Sequence, residues 1–255
     1  MTTPQRPDLV PGAEPWSADG GPVGALVLHG FTGNPGSVRG LAESLAAEGF
    51  TVDLPLLPGH GTTVDDMIPT GWNDWLAHAE ARYQALAERC DQVVVVGLSM
   101  GGGLAAWLGS EHPEIAGLVC INAVVSVPEG MRSAVQEVLA SGADRFAGIG
   151  SDIADPDVQE SAYAETPLAP LLTMFDAADT LGDRLSRITS PLLVVTSPQD
   201  HVVPPVNSDL LATQASGPVE RLVCDRSYHV VTLDYDKDAV VAATIDFARK
   251  VTAGA

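Results

Sequence analysis

Val93-Val94-Val95-Val96-Gly97-Leu98-Ser99-Met100-Gly101 is the stretch from which the rest of the chain can be read. Four β-branched residues in a row form a short apolar run, the pattern of a strand buried on both faces. A Gly-x-Ser-x-Gly pentapeptide follows at once. In that setting the serine sits on a strained turn between strand and helix, with its hydroxyl lifted clear of the sheet. Gly97 and Gly101 lack a Cβ, so two backbones can cross closely behind the turn.

Outward from this stretch, strand and helix patterns alternate. Residues 24–28 read as a buried strand ending at His29-Gly30, and Val38, Leu41, Ala42 and Leu45 recur at helical spacing until Gly49. A weaker strand covers 51–54, and Trp72, Trp75, Leu76, Ala79 and Leu86 mark a second amphipathic helix. After Ser99 come a helix to about Ser110 and a strand over 118–121. Later, 191–196, 206–215, 219–224 and 238–251 read as strand, helix, strand and helix. This alternation predicts an α/β fold with a mostly parallel sheet covered on both faces. Residues 126–185 break the rhythm, with helical patches at 135–139 and 171–175. The segment is too long for a connection, so it is expected to be an inserted cap, leaving 1–125 and 186–255 as the core.

The 255 residues are 45% apolar, enough for a sizeable core despite a net charge of −20. Such a charge repels nucleic acid and anionic membrane surfaces, so neither is expected as a partner. Cys90, Cys120 and Cys224 stand far apart without C-x-x-C spacing; Cys120 lies in an apolar run and Cys224 closes another, so buried thiols are expected rather than ligands or a disulfide. The opening heptapeptide lacks an apolar segment and no run is long enough to span a bilayer, so a cytoplasmic monomer or weak homodimer without membrane insertion is expected. No metal-ligand cluster or phosphate-binding glycine loop stands out, so no cofactor or metal is expected.

A serine hydroxyl becomes a useful nucleophile only beside a base held in the right tautomer. Among six histidines, His229 is the best base, in a short loop between the last strand and the last helix. His29, His60 and His201 suit supporting roles, and His78 and His112 fall on or beside helices and read as surface residues. The orienting acid should follow a strand between Ser99 and His229. Asp200 is favoured there, with Asp225 and Asp209 as competitors, and Ser…Asp…His is the α/β-hydrolase order. Two backbone donors should stabilise an oxyanion: Met100 N–H after the nucleophile, and Phe31 N–H within His29-Gly30-Phe31-Thr32-Gly33.

Several segments together resemble a known family. They are 28–33, 58–62, Gly97–Gly102, Gln199-Asp200-His201-Val202-Val203-Pro204-Pro205 and Ser227-Tyr228-His229-Val230-Val231-Thr232-Leu233-Asp234. The chain resembles the small bacterial monoacylglycerol lipases and related carboxylesterases of the α/β-hydrolase superfamily, almost end to end. The resemblance implies an α/β-hydrolase fold in which a small cap lines an acyl tunnel, and a small-molecule acyl ester substrate such as a monoacylglycerol. It further implies that Glu160 recognises glycerol hydroxyls, with Ile149 near the same pocket. Residues 128–147 follow the family pattern poorly, which leaves chain-length preference open. Ser99 at the elbow argues against the dehalogenases and epoxide hydrolases of this fold, whose nucleophile is a carboxylate. A general carboxylesterase is the nearest alternative. Cofactor-free haloperoxidases, C–C hydrolases and a non-catalytic receptor also keep such a triad.

Overall fold

The computed structural model of the chain describes residues 8–148 and 150–253. In chain order the elements are β1 (Trp16–Ala18), β2 (Val23–Leu28), α1 (Arg39–Ala47), β3 (Thr51–Leu54), α2 (Val64–Met67), α3 (Trp72–Ala87), β4 (Gln92–Leu98) and α4 (Met100–Glu111). Then follow β5 (Gly117–Ile121), α5 (Met131–Ala140), β6 (Arg145–Ala147), β7 (Glu165–Pro167), α6 (Leu168–Gly182), β8 (Leu192–Thr196), α7 (Val206–Gln214), β9 (Val219–Val223) and α8 (Lys237–Thr252). Seven strands form one sheet in the order β1-β3-β2-β4-β5-β8-β9. All neighbours run parallel except β1, which pairs antiparallel with β3 at one edge. The predicted α/β-hydrolase fold is thus observed; within this sheet only the three-residue β1, too short to show a period, was not anticipated.

Strand side chains alternate faces, so each buried strand supplies two cores. In β4, Val93 and Val95 join one apolar cluster, while Val94, Val96 and Leu98 join the other. β2, β5 and β8 divide in the same way. Helices α3, α4 and α6 cover the first face; α1 and α8 cover the second. This two-sided burial explains why the strands read as continuous apolar runs rather than alternating ones.

Residues 126–185 hold α5, the two-stranded β6–β7 ribbon and α6. The predicted helical patches belong to α5 and α6, while the ribbon carried no sequence signal. Leu168, Leu171, Met174, Phe175 and Leu181 of α6 pack into the cluster that holds Trp72 and Leu104. This segment therefore shares a core with the sheet.

All three cysteines are free; Cys120 and Cys224 are buried, as expected, and Cys90 is half-buried. His78 and His112 are half-buried rather than on the surface, and His112 is held between Glu80 (2.9 Å) and Glu114 (3.1 Å).

Candidate active site

Successive strands are added to one side of β2 and then to the other, since β3 pairs with one edge and β4 with its opposite edge. Ligands of open α/β sheets bind at such a switch, beyond the carboxyl ends of the strands. The loop after β2 begins at His29 and the residue after β4 is Ser99, with Leu28 opposite Gly97.

Ser99 has φ 58° and ψ −118°, a conformation that side-chain-bearing residues rarely adopt. Close packing enforces it. A Cβ on Gly97 would lie 2.0 Å from Gly101 O, and one on Gly101 would lie 2.3 Å from Leu28 O. Helix α4 starts at Met100, whose N–H belongs to the first turn and has no intrahelical partner. The loop carrying Phe31 passes beside the serine, because a Cβ on Gly30 would be 3.3 Å from Ser99 Cβ. Among the described residues neither Phe31 N–H nor Met100 N–H donates to a protein acceptor.

His229 donates from Nδ1 to Asp200 Oδ2 at 2.7 Å. The other oxygen, Oδ1, accepts the N–H groups of Val202 (2.8 Å) and Val203 (2.7 Å), which fixes the carboxylate after β8. The competing acids lie elsewhere: Asp209 pairs with Arg221 at 2.6 Å, and Asp225 is exposed. With Nδ1 committed, Nε2 is the free nitrogen, and His229 and Ser99 line the same cavity. Among the described residues no hydrogen bond joins Ser99 Oγ to His229. Such contacts commonly tighten only when substrate is bound.

Against the loop that carries Phe31 lies a buried ring cluster. His29 accepts Leu57 N–H at Nε2 (3.1 Å), so its Nδ1 carries the proton donated to Gly30 O (3.0 Å). His60 donates from Nδ1 to Pro58 O (3.0 Å), which also accepts Trp75 Nε1–H at 3.0 Å. His60 meets His29, Phe31 and Trp75 edge-on at 5.0–6.5 Å. Burial lowers the His60 pKa to about 4 and holds His29 well below its usual value, so both rings are neutral supports.

Glu160 lines the cavity with Ser99 and His229. Its Oε1 accepts a hydrogen bond from Ser37 Oγ at 2.6 Å, and its N–H donates to Ser151 Oγ at 2.9 Å. Burial raises its carboxyl pKa, opposed by the Ser37 hydroxyl and by positive potential from His229. Ile149 lies outside the described residues. The remaining walls are largely apolar, including Val127, Met131, Phe146, Leu171, Met174 and Phe175, around about 1050 Å³ of space that includes the open mouth. An ester carbonyl can reach the serine while an acyl chain lies on those walls and hydroxyl groups meet Glu160.

Sequence reasoning missed Asn122, at φ 43° just after β5. Its amide donates to His229 O (2.7 Å) and to Ser197 Oγ (3.1 Å), and its carbonyl accepts Ser197 N–H (2.8 Å). An asparagine closing an apolar strand was the signal available, though its partners are 75 and 107 residues away. Among the described residues, no group of three or more His, Cys, Asp and Glu side chains could hold a metal, and no helix is long and apolar enough to cross a membrane.

Residues 24–236 match the family model described as Hydrolase_4, serine aminopeptidase S33. The chain is 44% identical to a thermostable monoacylglycerol lipase of Bacillus sp. (strain H-257), over 95% of this chain and 96% of the relative. It is 28% identical to a carboxylesterase of Bacillus subtilis (strain 168), over 93% of this chain and 97% of that one. A solved structure described with the metagenome-derived lipolytic enzymes LipS and LipT superposes with a TM-score of 0.92 at 39% identity, covering 95% of this chain and all of the other. The chain belongs to the Hydrolase_4 (serine aminopeptidase S33) family of the α/β-hydrolase superfamily.

Proposed function

We propose that the protein hydrolyses monoacylglycerols to glycerol and a fatty acid, with Ser99 as nucleophile, His229 as base and Asp200 as its orienting acid. The observation that carries the reading is Glu160: its carboxylate shares a largely apolar cavity with Ser99 and His229, while the oxygens of Asp152, the other carboxylate of the lining, are taken by donors of His201 and His229. A carboxylate accepts two hydroxyl hydrogen bonds, as a glycerol headgroup requires, and the apolar walls suit an acyl chain. Similarity to a relative named monoacylglycerol lipase supports the same reading.

His229 Nε2 takes the Ser99 proton as Oγ attacks the ester carbonyl. Phe31 and Met100 N–H groups hold the developing oxyanion. The imidazolium returns its proton to the departing glycerol oxygen, and water releases the fatty acid by the same steps. Residues 126–185 act as the cap over this cavity. The free thiols fit a reducing, cytoplasmic setting, and a monomer or weak homodimer suffices because one chain supplies every group.

A substrate panel tests the reading. Glu160→Ala is expected to lower kcat/KM for monoacylglycerol by about tenfold more than for p-nitrophenyl butyrate, the loss of one charge-assisted hydrogen-bonding group. Equal losses on both substrates would leave a general carboxylesterase. Turnover of amino-acyl p-nitroanilides in preference to esters would remove the ester reading altogether.

A further inference from the structure

We infer that Asp152, contributed by the insertion, is a positioning residue that holds the acid-bearing and base-bearing loops in register. The inference rests on the triad proposed above. Asp152 Oδ2 accepts two backbone N–H groups, from His229 (3.1 Å) and from His201 (3.1 Å). The first belongs to the base and the second to the residue directly after the acid. Asp152 Oδ1 accepts a hydrogen bond from His201 Nδ1 at 2.8 Å, and Asp152 O accepts Val230 N–H at 3.1 Å. One side chain, 11% exposed, therefore spans loops that follow β8 and β9.

The grip is reciprocal. Asp234, buried in the base loop, accepts Ala154 N–H (2.7 Å) and Tyr228 N–H (2.9 Å) at Oδ2, and Asp155 N–H (3.2 Å) at Oδ1. Residues 152–155 are thus tied to the base loop from both sides, so Asp152 cannot drift without moving that loop. Asn122 holds the carbonyl of His229 while Asp152 holds its N–H. Asp200 fixes the ring and the other two fix the backbone from which it projects. Asp152 also borders the cavity, but its oxygens are already taken by three donors, which favours positioning over substrate contact.

The test compares Asp152→Ala, Asp152→Asn and Ser99→Ala with the parent on p-nitrophenyl butyrate. Asp152→Ala is expected to lower kcat about 30- to 100-fold with KM within about threefold, the size of effect that follows an ångström-scale misplacement. Asp152→Asn keeps a carbonyl for the two backbone N–H groups and should recover most of the loss, leaving kcat about three- to tenfold below the parent. A kcat within twofold of the parent for Asp152→Ala, a rise in KM with kcat unchanged, or no recovery in Asp152→Asn would overturn the assignment. Should Asp152→Ala fail to fold, Asp152→Asn decides, and parent-like kcat there overturns it. Ser99→Ala separates the two readings: if it retains activity, the triad itself is wrong, whereas an inactive Ser99→Ala beside a fully active Asp152→Ala removes only the positioning role.

Discussion

Protonation of His60 should be one of the forces that unfolds this protein in acid. The ring is buried, its Nδ1–H is committed to Pro58 O, and among the described residues Nε2 has no hydrogen-bond partner. A proton at Nε2 would place a charge with no acceptor among the rings of His29, Phe31 and Trp75. The unfolded chain binds that proton near 6.5 and the folded chain only near 4, so stability falls as pH drops through this window and changes no further below it. Between pH 7 and pH 4.5 those values give a loss of about 2 kcal/mol from this residue. His60→Phe keeps a ring of similar shape and leaves Trp75 Nε1–H on Pro58 O. Urea unfolding of parent and variant at both pH values isolates the effect, since the acidic surface titrates equally in each. The variant should lose about 2 kcal/mol less than the parent over that interval. Parallel losses, differing by under about 0.5 kcal/mol, would refute the claim that this ring is neutral because it is buried.

Asp200→Asn should leave the melting temperature close to the parent value but lower kcat by roughly four orders of magnitude, because the amide favours the wrong His229 tautomer; ester turnover with thermal melting checks both. Asn122→Asp keeps the acceptor for Ser197 N–H while removing the donor to His229 O. A buried carboxylate facing a carbonyl should cost about 2–4 kcal/mol, read by urea unfolding, with a fall in kcat larger than any change in KM.

Much of this molecule is legible along the chain because its central strands are buried twice over. The run 93–96 can only be a strand with two covered faces, and the elbow glycines leave one place for Ser99. Asp200 and His229 follow because loops after successive parallel strands converge at one end of the sheet. What stays hidden depends on backbone meeting side chain across long separations. The role of Asn122 depends on the carbonyl of His229, and that of Asp152 on two N–H groups 49 and 77 residues away. No periodicity encodes such pairs. β1 and the β6–β7 ribbon are three residues per strand, too short to complete two repeats of the two-residue alternation.

The backbone of Ser99 has a thermodynamic consequence. At φ 58° a serine bears strain of about 1–3 kcal/mol that a glycine would not. Among the described residues its hydroxyl has no hydrogen bond to lose. Ser99→Gly should therefore yield a more stable fold by about 1 kcal/mol once the extra freedom of the unfolded glycine is deducted. Selection on stability alone would erase the hydroxyl, so its survival marks a trade of stability for reactivity.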